Sequence, residues 1–121
     1  MKERGIEQLS YVQVDNPLVK VIDPLFIGLH AQANAEMSSK ALPKAYAKEK
    51  VGVFCKVDGK TTVIEYTNLP DELAEKVDDK GELVYKGGSI AIHVIATDFI
   101  ERINTQEGGF ALPYNRADKK V

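Results

Sequence analysis

The stretch VGVFCKVDGKTTVIEY, from Val51 to Tyr66, decides how the middle of this chain folds. Two runs rich in β-branched and aromatic residues flank Asp58-Gly59, a dipeptide that suits the positive φ angles of a two-residue hairpin turn. The pattern therefore predicts two antiparallel strands, Val51 to Val57 and Lys60 to Tyr66, joined by that turn.

The length of the turn also predicts which residues face each other across the hairpin. Counting outward from Asp58-Gly59 sets Val53 opposite Ile64 and Gly52 opposite Glu65. Side chains alternate between the two faces of a strand, so one face should be a core face. That core face holds Val51, Val53, Cys55, Ile64 and Tyr66.

The opposite face of the hairpin has a carboxylate, Glu65, beside Gly52, which has no side chain. A carboxylate can accept two hydrogen bonds from adjacent hydroxyl groups, as a sugar would offer. The pair therefore predicts a shaped space with a polar handle for a sugar. The alternative is an exposed Glu on the edge of a hairpin.

Further elements are predicted on both sides of the hairpin from turn residues, caps and apolar periodicity. The segment from Glu36 to Lys50 fits neither template and is predicted as extended chain or loop. The predicted elements are a strand from Leu9 to Val14, a helix from Pro24 to about Asn34 capped by Asp23, a short helix from Pro70 to Val77 with Asn68 as a cap, a buried strand from Ile90 to Ala96, and a helix from Thr97 through Ile103 capped by Thr97.

Length and composition narrow the class of protein. A chain of 121 residues with 44% hydrophobic and 28% charged residues is typical of one globular domain. A net charge of −2 without a basic run argues against a nucleic-acid partner. The single Cys55, the absence of an apolar stretch in MKERGIEQLS and the absence of a membrane-length apolar run predict a cytoplasmic protein that does not insert into a membrane.

Three other positions have side chains suited to binding charged ligands. Asp15 follows a predicted strand and could hold Mg²⁺ on a nucleotide, although an Asp before Asn-Pro also commonly stabilises a turn. Lys40 and Lys44 could reach phosphate groups or could form a solvated lysine-rich face. His30 and His93 lack a second ligand at metal-binding spacing, which favours structural roles.

Five motifs in order carry a family resemblance across nearly the whole chain. They are YVQVDNPLVKVIDPLFIG from Tyr11, SKALPK from Ser39, VGVFCKVDG from Val51, VIEY from Val63 and GGSIAIH from Gly87, followed by LPYNRADKK from Leu112. In this order they resemble the eukaryotic-type UDP-N-acetylglucosamine pyrophosphorylases and their bacterial relatives.

The resemblance implies an α/β fold, a fragment of a Rossmann-like (GT-A-like) nucleotidyltransferase mixed sheet with an adjoining β-hairpin layer. It implies an enzyme, a uridylyltransferase that converts UTP and a sugar 1-phosphate into a UDP-sugar and pyrophosphate with Mg²⁺. By the same resemblance Asp15 supports the metal, and Gly52, Glu65 and Ser89 contact the sugar. No residue is assigned a covalent catalytic role.

Two departures from the family pattern affect what the chain can do. Ser89 stands where the eukaryotic enzymes that use N-acetylglucosamine have Asn, so the sugar, of N-acetylglucosamine or glucose type, is not decided. The family's Gly-rich loop L-x-x-G-x-G-T and its C-terminal phosphate-binding Lys have no counterpart in residues 1–121. We therefore expect these residues to be a central part of the catalytic domain that is inactive when isolated.

A second reading from another class is retained. A piece of a larger sheet exposes unpaired strand edges, and such edges promote self-association. The alternative to an enzyme part is therefore a non-catalytic sugar- or nucleotide-binding module, or a self-associating fragment.

Overall fold

The computed structural model describes residues 1–106, 109–111 and 114, so most of the closing segment FALPYNRADKKV lies outside the described residues. After a 3₁₀ turn at Lys2–Arg4, the elements in chain order are β1 (Gln8–Tyr11), α1 (Pro24–Gln32), β2 (Met37–Pro43), β3 (Val53–Val57), β4 (Lys60–Ile64), α2 (Asp71–Ala74), β5 (Gly87–Ala96) and α3 (Thr97–Thr105). The mixture of helices and one five-stranded sheet confirms the α/β prediction.

Strand β5 is the centre of the sheet. Val94 pairs with Ser10 of β1 and with Ser38 of β2, so β1 and β2 lie on opposite edges of β5 at this point. Nearer the start of β5, Gly88 pairs with Leu42 of β2 and with Val53 of β3. Strand β2 therefore follows one edge of β5, while β1 and then β3 occupy the other, and all of these pairings are antiparallel.

The predicted hairpin and its register are confirmed. Strands β3 and β4 pair antiparallel, with Val57 facing Lys60 and Val53 facing Ile64. The turn residues have positive φ angles, 50° at Asp58 and 78° at Gly59, as a two-residue turn of this kind requires. The hairpin is not a separate layer, because the pairing of Val53 with Gly88 joins it to the sheet.

Both hairpin strands are shorter than predicted, because other partners take the backbone groups beyond them. The carbonyl of Gly52 accepts a hydrogen bond from the Ser89 amide, at 2.7 Å. The carbonyl of Glu65 accepts from the amides of Asn68 and Leu69 at 2.9 and 3.1 Å, which turns the chain away from the ladder. Tyr66, predicted for the core, is therefore 43% exposed.

Strand β2 was predicted only as extended chain or loop. Its sequence, MSSKALP, contains two serines, a lysine and a proline and has no clear period-2 pattern. It forms a strand because β5 provides a backbone partner along its length, from Met37 opposite Ile95 to Pro43 opposite Gly87. Tertiary pairing thus overrides a weak local preference.

The helices confirm three positions and correct two caps. Asp23 caps α1, accepting from the Phe26 amide at 3.4 Å. Helix α2 begins at Asp71 after Pro70 and has no side-chain cap, so the assignment of Asn68 was wrong. The N-cap of α3 is Ala96, and the hydroxyl of Thr97 instead donates to the carbonyls of Ile6 and Glu7.

The core is small and lies under the hairpin. Val53 is fully buried and packs with Leu69, Ala74, Ile64 and Tyr85. Because Val53 also pairs with β5, this cluster holds the hairpin, α2 and the sheet in one arrangement.

Replacing glycine by alanine at positions 59 and 28 should change the free energy of unfolding in opposite directions. Gly59→Ala places a Cβ on a left-handed residue and should destabilise the chain by about 1 to 2 kcal/mol. Gly28→Ala, the matched control, adds a Cβ to the exposed interior of α1 with nothing within 4 Å and should stabilise by up to about 1 kcal/mol. Urea unfolding of the two variants measures both effects, and equal shifts would contradict the turn assignment.

Candidate functional site

Gly52 and Ser89 are brought together where the hairpin meets β5. The Ser89 amide donates to the Gly52 carbonyl, and Gly52 is buried. Ser89 is the third residue of β5, where it pairs with Ala41 of β2. The structure therefore joins these two predicted sugar contacts by a backbone hydrogen bond, with Gly52 directly before β3 and Ser89 on β5.

Glu65, the residue directly after β4, approaches the same point. A Cβ built on Gly52 would lie 3.5 Å from Oε1 of Glu65, so the carboxylate reaches over the glycine as the register predicted. Gly52, Glu65 and Ser89 are thus neighbours, and the carboxylate is exposed to solvent. Because all three are predicted sugar contacts, we call them the sugar-side cluster.

Val63 belongs to this region and was not predicted as part of the site. Its Cγ1 atom would lie 2.9 Å from a Cβ on Gly52. Val63 and Glu65 are two residues apart, and both side chains lie on the side of the hairpin to which a Cβ on Gly52 would point. The hairpin register contained this signal, because the diagonal neighbour of Gly52 on that face is Val63.

Asp15 lies on another element, the exposed loop between β1 and α1. Turn stabilisation in this loop comes from its neighbour: the side chain of Asn16 accepts a hydrogen bond from the Leu18 amide at 3.3 Å. The alternative role considered for Asp15 is therefore filled by Asn16.

A cleft of about 330 Å³ lies between this loop and the sheet, lined by Asn16, Leu18, Val19, Lys20, Lys40, Leu42 and Ile92. Leu42 pairs with Gly88, the residue before Ser89. The cleft therefore lies beside β5, the strand that contains Ser89, but neither Asp15 nor a residue of the sugar-side cluster lines it.

Both predicted phosphate-binding lysines have partners within the chain. Lys40 forms an ion pair with Asp23 at 2.6 Å, and its ammonium lies 5.1 Å from the centroid of the Phe26 ring. Lys44 donates to the backbone carbonyl of Ala47. A hydrogen bond from Lys40, aided by the Phe26 amide, lowers the pKa of Asp23. Neither lysine is simply a solvated surface residue.

Strand β5 carries a bulge directly after Ser89. Ser39 pairs with His93, and the next pair is Ala41 with Ser89, so one residue of β2 faces three residues of β5. Ala91, in the middle of those three, has a φ of 54°, in the left-handed region that costs a non-glycine residue about 1 to 2 kcal/mol. No local sequence signal predicted this bulge.

The two histidines each bind a serine of β2. His30, only 2% exposed, shares a 2.7 Å hydrogen bond with Ser38, and His93 shares one of 2.8 Å with Ser39. Burial lowers the pKa of His93. These contacts give both histidines a structural role, as predicted.

A larger cleft, of about 810 Å³, lies at the other end of β5 between α1 and α3, and none of the predicted site residues lines it. Within the described ranges, no group of three or more His, Cys, Asp or Glu side chains is arranged to hold a metal ion. No helix in the same part of the chain is long and apolar enough to cross a membrane.

Comparisons with known proteins agree with this geometry. The family model for UTP–glucose-1-phosphate uridylyltransferase matches residues 1–121. The chain is 39% identical over 121 residues to UDP-N-acetylhexosamine pyrophosphorylase-like protein 1 of Mus musculus, covering 100% of the chain and 24% of that protein. It is 36% identical over 118 residues to UDP-N-acetylglucosamine pyrophosphorylase of Saccharomyces cerevisiae. That match covers 98% of the chain and 24% of the yeast protein.

Solved structures give the same result. A crystal structure assigned as a UDP-N-acetylglucosamine pyrophosphorylase from Entamoeba histolytica superposes with a TM-score of 0.86 at 38% identity, covering 99% of this chain and 29% of that one. The crystal structure of the Trypanosoma brucei uridine diphosphate N-acetylglucosamine pyrophosphorylase, in complex with an inhibitor, superposes with a TM-score of 0.78 at 33% identity. The match covers 84% of this chain and 19% of that one. The chain thus spans about a quarter of the length of its curated relatives.

The ion pair of Lys40 with Asp23 should make unfolding depend on pH. The pKa of folded Asp23 lies below its unfolded value, so its contribution to stability is complete above the unfolded pKa and is lost as pH falls through the folded pKa. Lys40→Met removes the main cause of the lowered pKa of Asp23 and should reduce the loss of stability at acid pH. Lys44→Met, the control with the same charge change, should leave that loss of stability as it is in the wild type. Urea unfolding over an acid pH series measures it, and identical curves for the two variants would contradict the assignment.

Proposed function

Because the chain belongs to the UTP–glucose-1-phosphate uridylyltransferase family, we propose that it forms the sugar-side and metal-side wall of an enzyme that makes a UDP-sugar and pyrophosphate from UTP and a sugar 1-phosphate. The observation that carries the proposal is that Gly52, just before β3, lies next to both Glu65, just after β4, and Ser89 of β5. These residues are 13 to 37 positions apart in sequence, and the closeness of Gly52 to the Glu65 carboxylate and to the backbone of Ser89 supports a shared binding role.

The proposed chemistry needs positioning more than a reactive side chain. An oxygen of the sugar phosphate attacks the α-phosphorus of UTP, and pyrophosphate leaves. Two anions have to be held close and in line, which is an entropic and electrostatic task. In this scheme Glu65 accepts hydrogen bonds from sugar hydroxyls, while Ser89 binds a hydroxyl or acyl group.

Mg²⁺ enters the proposal through Asp15. The exposed loop of Asp15 offers one carboxylate, and magnesium is commonly bound by one or two carboxylates together with substrate phosphates and water. Asp15 therefore fits a metal held jointly with a nucleotide, and when bound the ion would neutralise charge that develops on the phosphates. Its neighbour Asn16, which fixes the turn, would hold the carboxylate in place.

Lys40 and Lys44 stay candidates for phosphate binding. In the present arrangement each would have to leave its partner, Asp23 for Lys40 and the Ala47 carbonyl for Lys44. Because Lys40 also lines the cleft next to Asn16, it is the better placed of the two.

The sugar and the cell compartment are further parts of the proposal. Several relatives are named for UDP-N-acetylglucosamine or UDP-N-acetylhexosamine, which favours an N-acetylated hexosamine 1-phosphate over a glucose 1-phosphate. Ser89 has a shorter reach than the Asn of the eukaryotic enzymes, so both sugars need to be tested. A single cysteine among 121 residues favours the cytoplasm.

A chimeric enzyme tests the proposal. In it, this chain replaces the matching segment, about 24% of the length, of the Saccharomyces cerevisiae pyrophosphorylase. We expect the chimera to release pyrophosphate from UTP and N-acetylglucosamine 1-phosphate, whereas the isolated chain releases none above background. Glu65→Gln should lower kcat/KM for the sugar phosphate roughly tenfold to a hundredfold, because a hydrogen bond to a charged acceptor is worth about 1.5 to 3 kcal/mol.

Asp15→Asn in the same chimera is the matched comparison, since it also replaces a carboxylate by an amide. It should mainly lower kcat and raise the Mg²⁺ concentration required, with a smaller effect on the KM of the sugar phosphate. Initial rates over a grid of Mg²⁺ and sugar phosphate concentrations separate the two patterns. Identical defects in both variants would contradict the assignment of separate metal and sugar walls, and robust turnover by the isolated chain would show that the nucleotide site was misplaced.

The second candidate, self-association, is favoured by one observation. Large apolar side chains are exposed in and after the loop that contains Asp15, with Val14 at 103%, Leu18 at 93%, Ile22 at 71% and Leu25 at 72%. Exposed apolar side chains that lie close together in sequence favour association when they form a patch. The same surface is also where further parts of a longer family member could pack.

Sedimentation velocity of the isolated chain tests this second candidate. We expect concentration-dependent oligomers that disappear in Leu18→Ser/Leu25→Ser. The control is Val77→Ser/Val84→Ser, which removes exposed apolar side chains elsewhere, at 52% and 44% exposure, and should leave the oligomers unchanged. A monomer at all concentrations would contradict self-association.

A further inference from the structure

Gly52 has two possible reasons to be a glycine. A ligand could need the space above its Cα atom, or a protein side chain could already fill that space. The structure distinguishes them, because a Cβ on Gly52 would lie 2.9 Å from Cγ1 of Val63, closer than real Cβ contacts occur. A methyl group of this chain fills the space.

The same point is bounded by Glu65. The Cβ position of Gly52 is 3.5 Å from Oε1 and 3.6 Å from Cδ of Glu65, so the valine methyl and the carboxylate lie side by side above the glycine. Any atom added to Gly52 has to displace Val63 first and then presses on Glu65. On the other side, the Gly52 carbonyl is held by the Ser89 amide at 2.7 Å, so the backbone cannot easily retreat.

We propose that Val63 is a positioning residue of the sugar-side cluster, which holds the Glu65 carboxylate in place from its seat on Gly52. The methyl of Val63, seated on Gly52, supports the Glu65 carboxylate beside the same glycine. The consequence for sugar binding rests on the proposed function, whereas the arrangement of the carboxylate does not.

A methyl exchange across the two strands tests the proposal. Gly52→Ala adds a methyl where Val63 already stands, and Val63→Ala removes the methyl that stands there. In the double variant Gly52→Ala/Val63→Ala, the new alanine methyl takes the place of the lost valine methyl. If Val63 fills the space, the double variant should therefore be closer to the wild type than Gly52→Ala is.

The first readout needs no ligand. The carboxyl ¹³C shift of Glu65 in the full 121-residue chain should move in Gly52→Ala and return toward the wild-type value in the double variant. Thermal unfolding of the four proteins should show the same non-additivity, as expected for residues in contact. Gly28→Ala, with nothing within 4 Å of its new methyl, is the control and should leave the Glu65 signal unchanged.

The second readout is the affinity for N-acetylglucosamine 1-phosphate, measured by titration of amide shifts. Gly52→Ala should weaken binding about tenfold, and the double variant should restore most of that loss. A double variant whose Glu65 signal and stability recover while binding does not would mean that the sugar itself needs the space, which overturns the proposal. A Glu65 signal that stays displaced in the double variant overturns it as well.

The two proposals can fail separately. If the wild-type chain and the chimera both fail to bind or use the sugar phosphate, the proposed function is wrong, but the Glu65 signal still reports whether Val63 positions the carboxylate. If Gly52→Ala does not fold and the double variant does, that recovery is itself the result expected from the contact between Val63 and Gly52.

Discussion

The junction between the hairpin and the central strand is the interaction on which the rest of the structure depends. Val53 pairs with Gly88, and the neighbouring Gly52 carbonyl accepts from the Ser89 amide. The buried side chain of Val53 packs with Leu69, Ala74, Ile64 and Tyr85 beside the junction. Without this junction, the two-stranded hairpin would be only marginally stable in water. The position of Glu65 relative to Ser89 would then not be fixed.

Sequence reasoning reached the hairpin because its information is local. The turn Asp58-Gly59 fixes the register by loop length alone, and the neighbourhood of Gly52 and Glu65 follows from counting. It missed β2 and the bulge at Ala91, since both depend on what β5 provides as a partner. It also missed the ends of the hairpin strands, because the deciding hydrogen bonds come from residues outside the hairpin.

The candidate site shows the same division. Glu65 beside Gly52 could be predicted from the strands, but the contact of Ser89 with Gly52 needed the fold. The resemblance to a family supplied roles for these residues, and the geometry supplied a reason for one of them: Gly52 is crowded by Val63. Lys40 is the reverse case, since its partner Asp23 lies 17 positions earlier in the chain and no local pattern linked them.

The bulge in β5 lies where the strand changes partners. Its residues fall between the part paired with β1, which begins at His93, and the part paired with β3 at Gly88. Residues 90–92, which form the bulge, separate the two paired parts of the strand. A substitution in the part that ends at Ser89 can therefore leave the pairing from His93 onward in place on both edges of the strand. Under the proposed function, substitutions in residues 89–92 would alter the sugar-side wall without altering that pairing.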